Sequence, residues 1–274
     1  MTIIEHIRKI FRHKADQKLS GWGSFGARVT GKNHTLKGTP CEDWYTFRND
    51  NNRRVAVVCD GAGSAKFGGT GARWFAESLA DELGMIPTDE TKDFLERRII
   101  VAVTQARCET LSRIVRNGFN PGDFSSTLLA SVVLPEIFGV VQIGDGAIAG
   151  GGFSGGIMTA PENGEYANQT VFITASNWYR KMRIVTGDTL SIGSITLMTD
   201  GVTPALIDER SGLPAPALGL ILEGLRSGQG DEDSLRDVLK SEGFSKRSGD
   251  DKTIAVLINL ETQSEQKKSQ KGTE

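Results

Sequence analysis

Histidine and cysteine are scarce in this chain, three of each in 274 residues, and their placement excludes whole classes of chemistry. Cys41, Cys59 and Cys108 show no paired spacing. An odd count without pairs argues for reduced thiols in the cytoplasm, against a disulfide framework and against a cysteine-rich zinc site. His6, His13 and His34 all lie near the N-terminus, too few and too confined for a histidine-centred metal site. Gly152-Phe153-Ser154-Gly155-Gly156 matches the G-x-S-x-G nucleophile elbow, but that arrangement needs a histidine after the serine, and none follows. No apolar run approaches the roughly 18 residues of a membrane-spanning helix. The N-terminus also lacks the continuous apolar region of a signal peptide. Charge of one sign is missing too: the formal net charge is −2 and the pI about 6.0. Nucleic acid is therefore not an expected partner. The expectation is a cytoplasmic protein.

What the chain does contain is a recurring form, an apolar run with aspartate at one end. Arg54-Val55-Ala56-Val57-Val58-Cys59-Asp60-Gly61 reads as a buried strand whose last residue offers a carboxylate at the sheet edge, with Gly61 turning the backbone. Alone, Asp-Gly reads as an ordinary turn. The form repeats in Val140–Gly146, ending at Asp145, and in Ile195–Gly201, ending at Asp200. Asp250-Asp251 precedes the run Thr253–Ile258. Four such runs bring acidic groups from distant parts of a chain onto one rim.

Along the chain, Ile3, Ile7, Ile10 and Phe11 recur at helical spacing among Arg8, Lys9, Arg12 and Lys14. This predicts a basic amphipathic segment over residues 1–20 that docks on its own domain or frays; partner binding or peripheral membrane contact by residues 1–18 is the competing use. Gly21–Gly26 matches G-x-G-x-x-G, but no strand precedes it and no helix follows, so it reads as a glycine-rich strand or turn. Gly31–Pro40 is polar and loop-like. Trp44–Phe47 and Arg53–Asp60 read as a hairpin that brings Glu42 and Asp43 near Asp60. Helices are expected at Ala72–Leu83, with Trp74, Phe75, Leu79 and Leu83 inward, and at Thr91–Asn117, with Phe94, Ile99, Val103, Leu111, Ile114 and Val115 inward. Strands follow at Thr127–Leu134, Ile137–Ile143, Gly151–Thr159 and Val171–Ala175. Asn177–Asp188 reads as a surface flap, Leu190–Thr199 as a strand pair, Ala215–Leu225 and Ser234–Leu239 as helices, and Lys252–Leu260 as the last strand. Residues 21–262 form one domain, and 263–274 are polar, charged and expected to be disordered. Strands, helices, strands, helices, strand is an α+β order with largely antiparallel pairing.

Asp60, Asp145, Asp200 and Asp251, with Glu42 or Asp43, make a candidate carboxylate cluster. Close carboxylates repel and protonate unless something neutralises them. Divalent cations do this, and oxygen-only ligands select Mg²⁺ or Mn²⁺ over Zn²⁺. The competing reading is a set of unrelated turn aspartates.

The ordered set E-D, D-G-x-G, S-S-T-L, G-D-G, T-D-G and D-D resembles the metal-dependent protein phosphatases of the PP2C type, over about Gly21 to Leu260. Gly31–Asp43, with His34, Pro40, Cys41, Glu42 and Asp43, and Asp60–Ala65 are similar to the divergent bacterial branch of that family. The resemblance implies a PP2C-like β-sandwich of two antiparallel sheets flanked by pairs of α-helices. It implies two Mg²⁺ or Mn²⁺ ions, bridged by Asp60, with the Gly61 carbonyl on one and Asp200 and Asp251 on the other. Glu42 would hold metal-bound water with support from Asp43, and Asp145 with Asp200 would hold a third ion. The implied reaction is hydrolysis of phosphoserine or phosphothreonine in proteins by a metal-bridging hydroxide, in signalling alongside a cognate kinase.

Three positions depart from the family pattern. Ala62 stands where a proton-donating histidine is usual, Gly38 where an arginine grips phosphate, and Asp251-Lys252 where D-N is usual. His34 and Lys37 are the candidates to replace the two missing groups. The departures support a second reading, a catalytically weak or inactive PP2C-like domain that binds a phosphoprotein or kinase partner. A hydrolase of a small phosphorylated metabolite is a third.

Overall fold

The computed structural model describes residues 2–11, 21–50, 52–151, 156–161, 170–208 and 210–261. The linker at 12–20, most of the G-x-S-x-G match and the tail from residue 262 lie outside the described residues. In chain order the elements are α1 (Ile3–Phe11), β1 (Trp22–Val29), α2 (Lys32–Lys37), β2 (Trp44–Asn49), β3 (Arg54–Cys59), α3 (Gly68–Leu83) and α4 (Lys92–Arg116). There follow β4 (Leu128–Val133), β5 (Ile137–Ile143), β6 (Ala147–Gly151), β7 (Gly156–Thr159), β8 (Arg183–Asp188) and β9 (Ser194–Met198). The last elements are α5 (Thr203–Leu206), α6 (Pro216–Arg226), α7 (Glu232–Lys240), α8 (Glu242–Ser245) and β10 (Lys252–Asn259).

The strands form two five-stranded sheets, β1-β10-β9-β6-β7 and β2-β3-β4-β5-β8. Every pairing is antiparallel. The apolar runs are continuous because both faces of the central strands are covered. In β3, Val55, Val57 and Cys59 pack under α3 and α4, while Ala56 and Val58 point into the space between the sheets. In β10, Ile254, Val256 and Ile258 face the helices of the other layer, while Ala255 and Leu257 face the intersheet core. Period-two alternation thus feeds three cores from single strands.

Several elements differ from the sequence expectation. Gly31–Pro40 is not all loop: α2 forms there and ends at Gly38, whose φ of 67° is a left-handed C-cap. Arg183–Asp188, expected within a flap, is the edge strand β8, registered from Ile137↔Asp188 to Gln142↔Arg183. Ile184 and Val185 face opposite cores there, an alternation obscured by the neighbouring basic residues. Val171–Ala175 is irregular rather than a strand, although Ile173 is buried and its N–H donates to the Ser126 carbonyl. The expected pair at Leu190–Thr199 is a short 3₁₀ turn followed by β9 alone. On α4 the buried stripe is Leu95, Ile99, Ala102, Val103, Ala106, Thr110 and Ile114. Phe94 and Val115, expected inward, are 53% and 58% exposed. The packed face is the narrow alanine face, which an apolarity count undervalues.

The described part of the basic N-terminal segment is docked on the domain. Ile7 and Phe11 enter the core beneath α6 and α7, with Phe11 seated against Gly224 and Gly230, while Arg8 and Lys9 stay exposed. Ile7→Val is expected to cost about 1 kcal/mol, read as a lower urea midpoint; an unchanged midpoint would show that α1 adds nothing to stability. Among the described residues no helix is long and apolar enough to cross a membrane, and Cys41, Cys59 and Cys108 are all free thiols.

Candidate active site

Antiparallel order places the C-terminal ends of β3, β5 and β9 beside the N-terminal ends of β2, β4 and β10. Asp60, Asp145 and Asp200 leave the first three strands, and Glu42-Asp43 and Asp250-Asp251 lead into β2 and β10. The sandwich therefore gathers these carboxylates at one end.

Asp60 is fixed by its backbone. Its N–H donates to Thr127 Oγ1 at 3.1 Å, and its carbonyl accepts from Thr127 N at 2.8 Å. Gly61 N donates to the Glu42 carbonyl at 3.2 Å, tying the β3 end to the E-D pair. Asp43 is buried; its Oδ2 accepts from Thr199 Oγ1 at 3.0 Å, and its Oδ1 has no partner. That Thr199 contact joins the two sheets. The charge of Asp200 acts on Asp60, and its buried Oδ1 is unpartnered. Gly201 is required by close approach, since a Cβ there would lie 1.8 Å from the Asp251 carbonyl oxygen. Asp145 accepts from Thr170 Oγ1.

Asp251 is differently engaged. It is 3% exposed, and its Oδ1 accepts from Gly31 N at 2.6 Å while its Oδ2 accepts from Glu42 N at 2.6 Å and meets His34 Nδ1 at 2.7 Å. The other His34 nitrogen, Nε2, faces Glu42 Oε2 at 3.6 Å. Both oxygens of Asp251 thus help hold α2 and Glu42. Asp250, which the sequence reading left aside, is the exposed member of the doublet. Its charge acts on Asp60, Asp200 and Glu42. Lys252 is buried and donates to the Asp250 carbonyl at 2.8 Å, so it holds the doublet's backbone and does not point into the cleft. Lys37 is exposed at the end of α2, and its charge reaches Glu42.

Burial and mutual repulsion set the electrostatics of the cluster. Burial pushes Asp60 well above the usual carboxylate range, and the charges of Asp43, Asp200, Asp250 and Asp145 push it further. Burial first, then Asp251, raises Asp43 to about 7. Burial, Asp145 and Asp250 raise Asp200 to about 6. Burial raises Glu42, opposed by His34. Among the described residues no three His, Cys, Asp or Glu side chains form a ready-made metal cage. The donor set nevertheless fits a hard divalent cation: it is all oxygen, mutually repelling, and includes two buried oxygens with nothing to bind.

A family model for protein phosphatase 2C matches residues 30–240. The chain belongs to the protein phosphatase 2C family. The match spans the E-D pair, the Asp60 loop, Asp145 and Asp200, and ends before the Asp250-Asp251 doublet. Among solved structures, the serine/threonine phosphatase Stp1 from Staphylococcus aureus superposes with a TM-score of 0.62 at 15% identity, covering 92% of this chain and 99% of that one. The S. agalactiae serine/threonine phosphatase gives 0.61 at 13% identity, covering 87% and 99%. PppA, a key regulatory component of T6SS in Pseudomonas aeruginosa, gives 0.58 at 16% identity, covering 88% and 99%. At these identities the likeness is one of fold, and the two antiparallel sheets with their helices are the protein phosphatase 2C fold. No curated protein sequence matches the chain.

Proposed function

We propose that this chain is a Mg²⁺- or Mn²⁺-dependent phosphatase acting on phosphoserine or phosphothreonine in proteins. The observation that carries this reading is the pair of buried, unpartnered carboxylate oxygens on Asp43 and Asp200 beside Asp60, within a phosphatase family. Asp60, the Gly61 carbonyl, Asp200 and Asp250 would hold two ions, with Asp250 in the place expected for Asp251. Asp145 with Asp200 offers a position for a third. Such ions supply charge neutralisation at the phosphoryl oxygens and a nucleophile at neutral pH. Within the chain, Asp251 and His34 position Glu42, Asp43 holds Thr199, the residue that leads into Asp200, and Lys37 brings positive charge to the rim. Ala62 is nearly buried and offers no proton to a leaving group. Good leaving groups should therefore be turned over better than serine or threonine phosphates. Three free thiols accord with a cytoplasmic setting.

The test is hydrolysis of an aryl phosphate and of a phosphothreonine peptide with and without Mn²⁺. The expected result is metal-dependent turnover of both, faster on the aryl ester; no metal-dependent turnover of either overturns the reading. One observation favours the second reading, a domain that binds a phosphoprotein or its kinase with little turnover. Gly38, where an arginine would grip phosphate, has a left-handed backbone that side chains rarely adopt. Phosphoprotein capture without turnover is its signature.

A further inference from the structure

We propose that a cluster of rings flanking the Asp60 loop docks an acidic segment of the phosphoprotein substrate; this rests on the phosphatase reading above and names the kind of substrate it takes. The loop leaving Asp60 runs through Lys66 and Phe67 into α3, and it is stapled to the turn before β4. Ala62 N donates to the Ser125 carbonyl at 2.9 Å and Phe67 N to the Asp123 carbonyl at 2.7 Å. Four rings meet at this seam. Phe124 is buried, with Trp74 stacked on it at 5.3 Å between centroids, Phe67 at 5.0 Å and Phe119 at 5.6 Å. Phe119 keeps 43% of its surface exposed.

Two exposed cations lie over these rings. The Arg113 guanidinium is 3.8 Å from the Trp74 centroid, and Lys66 Nζ is 5.1 Å from that of Phe67. Among the described residues neither meets a carboxylate, whereas Arg48, Arg73, Arg98 and Arg236 pair with Asp81, Glu77, Glu90 and Asp233. A cation resting on a ring keeps its charge and has donors left for an incoming carboxylate. Ring faces beside such cations suit a peptide carrying a few acids next to an apolar side chain. A long polyanion fits poorly, because the Asp60 cluster lies alongside and Asp123 sits on the same turn. Phe67 is seven residues on from Asp60, so its backbone lies within about 25 Å of Asp60, the reach of a short extended flank.

The test compares the unmodified protein with the Lys66→Glu/Arg113→Glu double variant and with Phe119→Ala, all three exposed positions, with circular dichroism melts checking the fold. Kinetics with Mn²⁺ use a phosphothreonine peptide flanked by Asp, Glu and Leu, the same peptide flanked by Ser and Gly, and an aryl phosphate. Charge reversal is expected to raise KM for the acidic peptide about tenfold, leaving kcat and the aryl phosphate kcat/KM unchanged. Phe119→Ala is expected to raise the same KM about threefold. An unchanged KM for the acidic peptide, or an equal loss on all three substrates, overturns the docking site. If the unmodified protein hydrolyses none of them, the phosphatase reading has failed, and fluorescence anisotropy of the labelled acidic peptide decides the docking site separately. Binding about tenfold weaker in the double variant upholds it, and equal binding overturns it.

Discussion

Asp60→Asn is expected to lower metal-dependent hydrolysis by at least about a hundredfold, the scale for losing one electrostatic stabiliser, while raising the thermal stability of the metal-free protein. Both effects have one cause. Asp60 sits among Asp43, Asp200, Asp250 and Asp145, whose charges add to burial in opposing its ionisation. An amide of the same shape removes the repelling charge and the ligand together. The pH dependence carries the same sign. An unfolded aspartate titrates near 3.8, whereas Asp200 and Asp43 titrate near 6 and 7 in the fold. Between those limits the folded protein binds more protons than the unfolded chain, so its stability falls as pH rises. The metal-free protein should therefore melt higher at pH 5 than at pH 7.5, with the contribution complete below about pH 4. Mn²⁺ should erase most of that difference at pH 7.5 by binding only the folded cluster. In Asp60→Asn the slope should flatten and the pH 7.5 melting temperature in EDTA should rise by about 3–8 °C. A variant that melts lower than the unmodified protein at pH 7.5 in EDTA would show that the carboxylates are not repelling one another.

Strand polarity explains why the gathering of these acids was legible. A run that is apolar on both faces is a central strand, and an aspartate after three such runs with doublets before two others is the pattern antiparallel pairing folds onto one edge. Ile137–Ile143 matches its strand residue for residue, since nothing polar interrupts it except Gln142, whose amide donates to the carbonyls of Gly144, Gly146 and Ala160. The phase of α4 was not legible, because Ala102 and Ala106 carry little hydrophobic signal yet let α3 approach. Nor was β8, whose ladder to β5 depends on a partner more than 40 residues upstream. Least legible was His34. Its place depends on Asp251, 217 residues away, and on a helical turn too short to leave a periodic trace. The polar sequence around it suggested a loop and a replacement for a missing phosphate-gripping or proton-donating group, whereas one nitrogen is bound to Asp251 and the other faces Glu42.

Adjacent residues Asp250 and Asp251 should respond to mutation in opposite ways. Successive residues at a strand entrance point to opposite faces, so the doublet offers one carboxylate to the cleft and one to the interior, and composition cannot say which is which. Three hydrogen bonds decide it: Gly31 N, Glu42 N and His34 all converge on Asp251. Asp251→Ala would strand the buried Gly31 N–H and the partly buried Glu42 N–H and release α2, at a cost of about 3–5 kcal/mol. For a domain of this size that is a fall of roughly 10–15 °C in melting temperature. Asp250 is exposed, and its carboxylate accepts a short-range hydrogen bond from Asp251 N at 2.9 Å. Asp250→Asn should leave the melting temperature in EDTA within a degree or two, or raise it slightly by relieving Asp60 and Asp200. Its loss should appear as an apparent Mn²⁺ affinity weaker by at least about tenfold. Titration of Mn²⁺ by calorimetry, beside melts in EDTA, separates the two outcomes. If Asp251 were the ligand, Asp251→Asn would lose Mn²⁺ with little change in melting while Asp250→Asn bound it normally. The hydrogen bonds argue the reverse, because two backbone amides and an imidazole already take up three of the about four lone-pair positions of Asp251, whereas the Asp250 carboxylate is exposed.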